Sequence, residues 1–207
     1  MFRVYEISLV IDVGANSGQF AQGLRTQIGY SGRIVSFEPL RSAFSLLEQN
    51  SKSDAHWQIY NYALGDTIGT QTINVAGNSF SSSLLPMLPS HVASAPESSY
   101  VGFENVELKT LDSVFPEVRQ NARNIYLKID TQGYENRVLA GAKHSLSHIS
   151  TVQMEMSLVP LYGGELLFGE MCNLMVGYGF TLMRIENGLS DPKSGQLLQV
   201  DGIFRRL

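Results

Sequence analysis

Short apolar runs alternate with amphipathic stretches almost from the first residue of this chain. Ser8 to Val13 is nearly continuous in apolar, partly β-branched residues, which predicts a strand buried on both faces, as parallel sheets require. Gly14 ends that run, and Phe20, Leu24 and Ile28 then follow at helical spacing. Ile34 to Phe37 predicts a second strand. Leu40, Phe44 and Leu47 mark one face of a helix, and Trp57 to Tyr62 a third strand. A β-α-β-α-β order of this kind implies a parallel sheet with right-handed crossovers.

The middle of the chain is less regular. Thr70 to Val75 predicts a strand that can serve as one arm of a hairpin, and 77–102 is rich in Ser and Pro. A loop that long is expected to be either a functional lid or a disordered insert. Regular patterning returns with a strand at Val106 to Lys109, a helix from near Leu111, and a strand at Asn124 to Ile129. A helix from about Tyr134 to Leu146, a strand at Thr151 to Met156, and a helix carrying Leu167, Met171, Leu174 and Tyr178 follow. Two last strand-like runs, Phe180 to Ile185 and Leu197 to Phe204, are separated only by Glu186 to Gln196, with its Asn-Gly, Asp-Pro and Gly breakers. That connection is too short and too broken for a crossover helix, so the two strands should be antiparallel neighbours. The expected fold is therefore α/β and Rossmann-like, of the class I methyltransferase type. It has a mostly parallel seven-stranded sheet, helices on both faces and a C-terminal antiparallel hairpin. No internal repeat or linker interrupts it, and residues 1–207 are expected to form one domain.

Composition narrows the chemistry mainly by exclusion. Hydrophobic residues make up 43% and charged residues 16%, which argues against disorder. Fifteen Lys and Arg against 19 Asp and Glu leave a formal charge of −4, without the broad basic surface expected of a nucleic-acid binder. A single cysteine, Cys172, rules out an internal disulfide framework and a multi-thiolate zinc site. No apolar run approaches the roughly 18 residues of a membrane span, and the N-terminus lacks a signal-peptide pattern, so a cytoplasmic location is expected. His144 and His148 lie one helical turn apart but have no third ligand nearby, and no metal site is expected.

The turn after the first strand carries the first chemical signal. A dinucleotide fingerprint would need glycines at 14, 16 and 19, and only Gly14 is present. Asp12, beside that turn, would repel a pyrophosphate, which argues against a nicotinamide dehydrogenase. It suits a ligand with positive charge, such as the sulfonium and ammonium of S-adenosylmethionine. Glu38, 20 residues beyond Gly18 at the end of the second strand, is placed to accept ribose hydroxyls. The plainer alternatives are a strand terminus held by backbone amides for Asp12 and a helix-start acid for Glu38. Asp130 ends the fourth strand of the sheet, where it can orient an acceptor hydroxyl and take its proton. A simple ion pair with Lys128, two residues back on the same strand face, is the competing reading. Glu135 and Glu155 fall near the same sheet edge, although Glu135 also suits the N-terminal turn of its own helix. Tyr134 is placed to stack on an acceptor, with simple packing as the plainer reading, and Ser82 and Ser83 in the long loop to hydrogen-bond one, which a flexible polar lid explains equally well.

Several segments together resemble the FkbM family of methyltransferases: Val10 to Gly18, Ser36-Phe37-Glu38-Pro39, Ala63-Leu64-Gly65-Asp66, and Leu127 to Glu135. Glu155 to Leu158, Pro160 to Gly163 and Val200 to Phe204 fit as well. The resemblance runs along essentially the whole chain, and the Lys-Ile-Asp-x-x-Gly-x-Glu stretch is its most specific part. It implies transfer of a methyl group from S-adenosylmethionine, most often to a hydroxyl on a sugar, polysaccharide or natural-product scaffold. Position by position, it implies that Asp12, Gly14, Ala15, Asn16 and Gly18 surround the methionine part of the cofactor. Glu38 would hold the ribose, and Ala63 and Leu64 would border the adenine. Gln132 departs from the family, standing where many members have a glutamate. A non-catalytic adenosyl-ligand binding or interaction module with the same fold is the alternative.

Overall fold

The computed structural model describes residues 1–207. Leu9–Val13 (β1), Arg33–Phe37 (β2), Trp57–Tyr60 (β3), Ile125–Ile129 (β7), Thr151–Ser157 (β8), Thr181–Asn187 (β9) and Gln199–Arg205 (β10) form one seven-stranded sheet. Its order is β3-β2-β1-β7-β8-β10-β9. All neighbours run parallel except β10, which is antiparallel to both β8 and β9. Every residue of β1 and β7 is buried, the physical consequence of their unbroken apolar runs at the centre of the sheet.

Helices cover both faces. Leu111–Arg119 (α4), Glu135–Ala140 (α5) and Phe168–Gly177 (α6) pack on one face against Leu9, Ile11, Leu127 and Val152. On the other face, Gln19–Gly23 (α1), its wider-wound continuation Leu24–Ile28, and Arg41–Ser51 (α2) bury Ala21, Leu24 and Leu47 against Val10, Ile34 and Trp57. No helix is long and apolar enough to cross a membrane.

The chain between β3 and α4 differs from expectation. Ala63–Leu64 (β4), Gly69–Ala76 (β5) and Tyr100–Lys109 (β6) form a second sheet, in the order β4-β6-β5, with β5 and β6 antiparallel. Of the two expectations, the disordered insert is therefore overturned: the Ser/Pro-rich stretch is ordered. Its first turn folds back on β5 through paired Asn74 and Ser83 backbone bonds of 2.9 and 3.1 Å. It then forms a helix, Pro89–Ser94 (α3), and a short turn at Pro96–Ser98. The serines supply the order: Asn78 Nδ2 donates to Ser81 Oγ and Ser98 Oγ, both at 3.1 Å, and Ser81 Oγ donates to Ser98 Oγ at 3.0 Å.

The helix expected from Tyr134 to Leu146 is also shorter. It stops at Gly141, where a Cβ would lie 1.8 Å from the Gly65 carbonyl oxygen, and only a short turn at Ser145–His148 follows. His144 and His148 thus do not share an α-helical face.

Candidate functional site

Strand order reverses between β1 and β7, since β1 leads outward to β2 and β3 while β7 leads to β8 and the C-terminal pair. Open α/β sheets place ligands in the crevice at such a switch, beyond the carboxyl ends of the strands. A cavity of about 370 Å³ opens there.

Asp12, in β1, lines it and is fully buried. Strand register sets Ser36 of β2 and Lys128 of β7 on either side of it. Oδ2 accepts a 3.2 Å hydrogen bond from Ser36 Oγ, which in turn accepts one from Trp57 Nε1 at 2.9 Å. Oδ1 is buried without any partner. Burial pushes this carboxyl above its ordinary range, with Lys128 working against that shift.

The turn that follows is held by close approach. Gly14 has φ +79°, and a Cβ there would lie 1.8 Å from the Asp130 carbonyl oxygen, so the β1 and β7 ends can meet only at a glycine. The N–H groups of Gly14 and Ala15 both donate to the Phe37 carbonyl at 3.0 Å. Asn16 adopts a left-handed φ of 49° and donates its N–H to Glu38 Oε2 at 2.8 Å. Glu38 Oε1 accepts the Leu40 N–H, also at 2.8 Å. Glu38 thereby ties the first turn to the start of α2. Burial raises its carboxyl to about 7, against the lowering effect of the Leu40 and Asn16 amides.

Ala63 and Leu64 line the apolar end of the cavity with Leu40, Tyr62 and Ile73. The polar end is built on β7 and β8. Lys128 Nζ donates to Asp130 Oδ2 at 3.0 Å and lies 5.2 Å from the centre of the Phe20 ring. Burial works to discharge Lys128, but Asp130 and Asp12 outweigh it and raise its pKa. Glu155 lies beyond, and burial, followed by Asp130 and Glu135, pushes its carboxyl well up.

Asp12, Gly14, Ala15, Asn16, Glu38, Ala63, Leu64, Ser82, Ser83, Asp130, Tyr134 and Glu155 are all brought to this one cavity. Ser82 and Ser83 are already engaged within the protein. Ser82 Oγ donates to the Ser79 carbonyl at 2.9 Å, and Ser83 Oγ to the Gln132 carbonyl at 2.7 Å. Gly18 and Glu135 do not line it. Gly18, at φ +90°, leaves room for the Trp57 ring, which a Cβ would meet at 2.6 Å. Glu135 turns back to accept the Thr131 N–H at 2.7 Å and its hydroxyl at 3.0 Å, holding the turn before α5. Burial raises the Glu135 carboxyl to about 7.

Two lining residues have roles that the sequence did not suggest. Phe80, 59% exposed, stands at the rim, and Gln132 bridges Asp130 and Glu155. The sequence signal for Gln132 is its departure from the family's glutamate two residues after Asp130, and that for Phe80 is only its place among the loop serines.

A family model described as the methyltransferase FkbM domain matches residues 12–182. No curated protein matches the chain. Among solved structures, it is similar to methyltransferase FkbM from Methylobacillus flagellatus KT, with a TM-score of 0.54 and 12% identity over 95% of this chain and 44% of that one. TehB from Haemophilus influenzae aligns with a TM-score of 0.53 and 9% identity over 100% of this chain and 60% of that one. An rRNA methylase from Streptococcus thermophilus gives 0.51 and 11% over 99% and 92%. At such identities the likeness is one of fold. The chain spans less than half the length of the Methylobacillus structure.

Proposed function

The chain belongs to the FkbM methyltransferase family, and from that premise we propose that it transfers a methyl group from S-adenosylmethionine to a hydroxyl oxygen on a sugar, polysaccharide or natural-product scaffold. The observation that carries the cofactor is Asp12 Oδ1, a buried carboxylate oxygen without a partner on a cavity at the switch point. A buried charge left partly unpaired is costly, and a cationic ligand would relieve that cost. S-adenosylmethionine carries a methyl group already activated on a sulfonium, beside an ammonium.

The chain's own residues divide the remaining work. The Gly14–Asn16 turn brings backbone close to the ligand. Glu38, whose oxygens each accept one backbone N–H, keeps further lone pairs for ribose hydroxyls. Ala63 and Leu64, with Leu40, form an apolar wall for the adenine. Asp130 orients the acceptor hydroxyl and receives its proton, with Lys128 beside it as counter-charge. Lys128 is the only Lys or Arg lining the cavity, which favours a small or glycan acceptor over a polyanionic nucleic acid. We place the protein in the cytoplasm, in keeping with its single cysteine.

Calorimetry is expected to show binding of S-adenosylhomocysteine and none of NAD. The opposite pattern would overturn the reading. Transfer of labelled methyl from S-adenosylmethionine into a panel of glycans and hydroxylated metabolites then tests catalysis. Cofactor binding with no transfer to any member would instead support the non-catalytic adenosyl-binding module.

A further inference from the structure

We propose that Gln132 is a positioning residue whose side-chain amide clamps Asp130 and Glu155 into one two-carboxylate site, oriented by Tyr162. The amide makes three contacts. Nε2 donates to Asp130 Oδ1 at 2.9 Å and to Glu155 Oε2 at 2.8 Å, and Oε1 accepts the Tyr162 hydroxyl at 2.7 Å. The chemistry dictates which way the amide faces. The Asp130 carboxylate, ion-paired with Lys128, only accepts, so the NH₂ end must face it, and the carbonyl end is left for a donor, which the buried Tyr162 hydroxyl supplies.

The backbone is committed to the same arrangement. Gln132 has a left-handed φ of 56°, its carbonyl accepts Ser83 Oγ, and Gly133 follows at φ +91°, where a Cβ would press on Tyr162 at 2.9 Å. The chain thus adopts two consecutive left-handed residues at the point where this amide is presented. Such local cost is retained where the surroundings over-determine the conformation.

The clamp differentiates the two acids. Asp130 is held from both sides, by Gln132 on Oδ1 and Lys128 on Oδ2. Glu155 takes two amides on a single oxygen, Gln132 and Gln199, the latter also at 2.8 Å, which leaves Oε1 free of protein donors. Charged neighbours face this group from every side: Asp12 and Lys128 from β1 and β7, Glu135 from the first turn of α5, and Asp201 from β10. In that surrounding, a neutral double donor keeps two carboxylates together without adding a third charge. Resting on the hydroxyl-acceptor reading above, the clamp fixes the direction in which Asp130 offers its remaining lone pairs to the acceptor.

The test compares Gln132→Glu, Gln132→Met and Tyr162→Phe by thermal melts at about pH 5.5 and about pH 8.5, by calorimetry with S-adenosylhomocysteine, and by labelled-methyl transfer. Gln132→Glu keeps the shape but replaces the donor with a third acid whose pKa the other two raise. Its deficit should be small in acid, where that acid is protonated, and grow on the alkaline side by about 2–4 °C in melting temperature. Gln132→Met, which removes a donor without adding an acid, should show a deficit that grows less between the two pH values than that of Gln132→Glu, and a kcat lowered at least about tenfold, with S-adenosylhomocysteine affinity within about threefold. Tyr162→Phe should move kcat in the same direction by less. A Gln132→Glu deficit identical at both pH values and equal to that of Gln132→Met would overturn the clamp, as would unchanged kcat in Gln132→Met. If the parent protein fails to bind S-adenosylhomocysteine, the cofactor reading fails, while the pH-dependent melting difference still decides the clamp.

Discussion

Glu38 and Asp12 lie at the ends of neighbouring strands, both buried, and they meet the cost of burial in different ways. Each oxygen of Glu38 accepts a backbone N–H, from Asn16 and Leu40, so the acid is also a strut between the glycine turn and α2. Asp12 has one hydroxyl on Oδ2 and nothing on Oδ1, and its charge is opposed mainly by Lys128 across the strand pair. The first acid is part of the scaffold and offers spare lone pairs. The second remains incompletely satisfied by the protein and has most to gain from a cationic ligand. Burial alone does not show how much of an acid's bonding capacity the protein leaves unused; the count of satisfied oxygens does.

The largest expected effect removes the turn on which both acids depend. Gly14→Ala sets a Cβ against the Asp130 carbonyl at an unfavourable φ, and should cost about 3 kcal/mol or more in urea unfolding and abolish S-adenosylhomocysteine binding. A variant within about 1 kcal/mol of the parent would show that the two strand ends do not need this contact.

Next, Asp12→Asn should weaken S-adenosylhomocysteine by about 1.5–3 kcal/mol, roughly 10- to 100-fold in calorimetry. Because the lost charge was poorly paired, stability should change by less than about 1 kcal/mol. A large stability loss with intact affinity would invert the contrast with Glu38.

Glu38→Gln should act mainly on the fold, costing about 1–2 kcal/mol because an NH₂ group must then face one of the two backbone donors. Glu38 has a folded-state pKa raised to about 7, so its contribution to parent stability is fully present below the unfolded pKa and declines as pH rises through about 7. The Gln variant lacks that decline. Its deficit against the parent should therefore shrink between acidic and mildly alkaline pH, and a deficit that widens would contradict the assigned cause.

The smallest effect belongs to Glu135→Gln. Its carboxylate serves Thr131 rather than the cavity, so affinity should stay within about twofold while stability falls by about 1 kcal/mol. A marked loss of affinity would return Glu135 to the ligand site.

Much of this architecture was legible before the structure. β1 and β7 are buried on both faces, so their apolar runs are unbroken and easily read. The C-terminal pair was legible because its breakers leave no room for a crossover. The 77–102 stretch was not, because its order rests on bonds such as Asn78 to Ser98, polar contacts without a period in sequence. The early end of α5 was equally hidden, since it depends on Gly141 meeting a carbonyl more than seventy residues away, at Gly65. Gly14 and Gly18 look alike in the first motif. Only the fold shows that one admits the Asp130 carbonyl and the other the Trp57 ring.

By itself, then, the sequence determined the strands and most helices of the main sheet, its antiparallel C-terminal pair, and the presence of acids at several strand ends. Those follow from local periodicity and from the connections that short segments permit. Which acid keeps a bare oxygen, which is spent on a turn, and which pair is bridged by Gln132 were decided only by tertiary structure. Hydrogen-bond satisfaction depends on partners drawn from distant parts of the chain, and no local pattern records where those partners arrive.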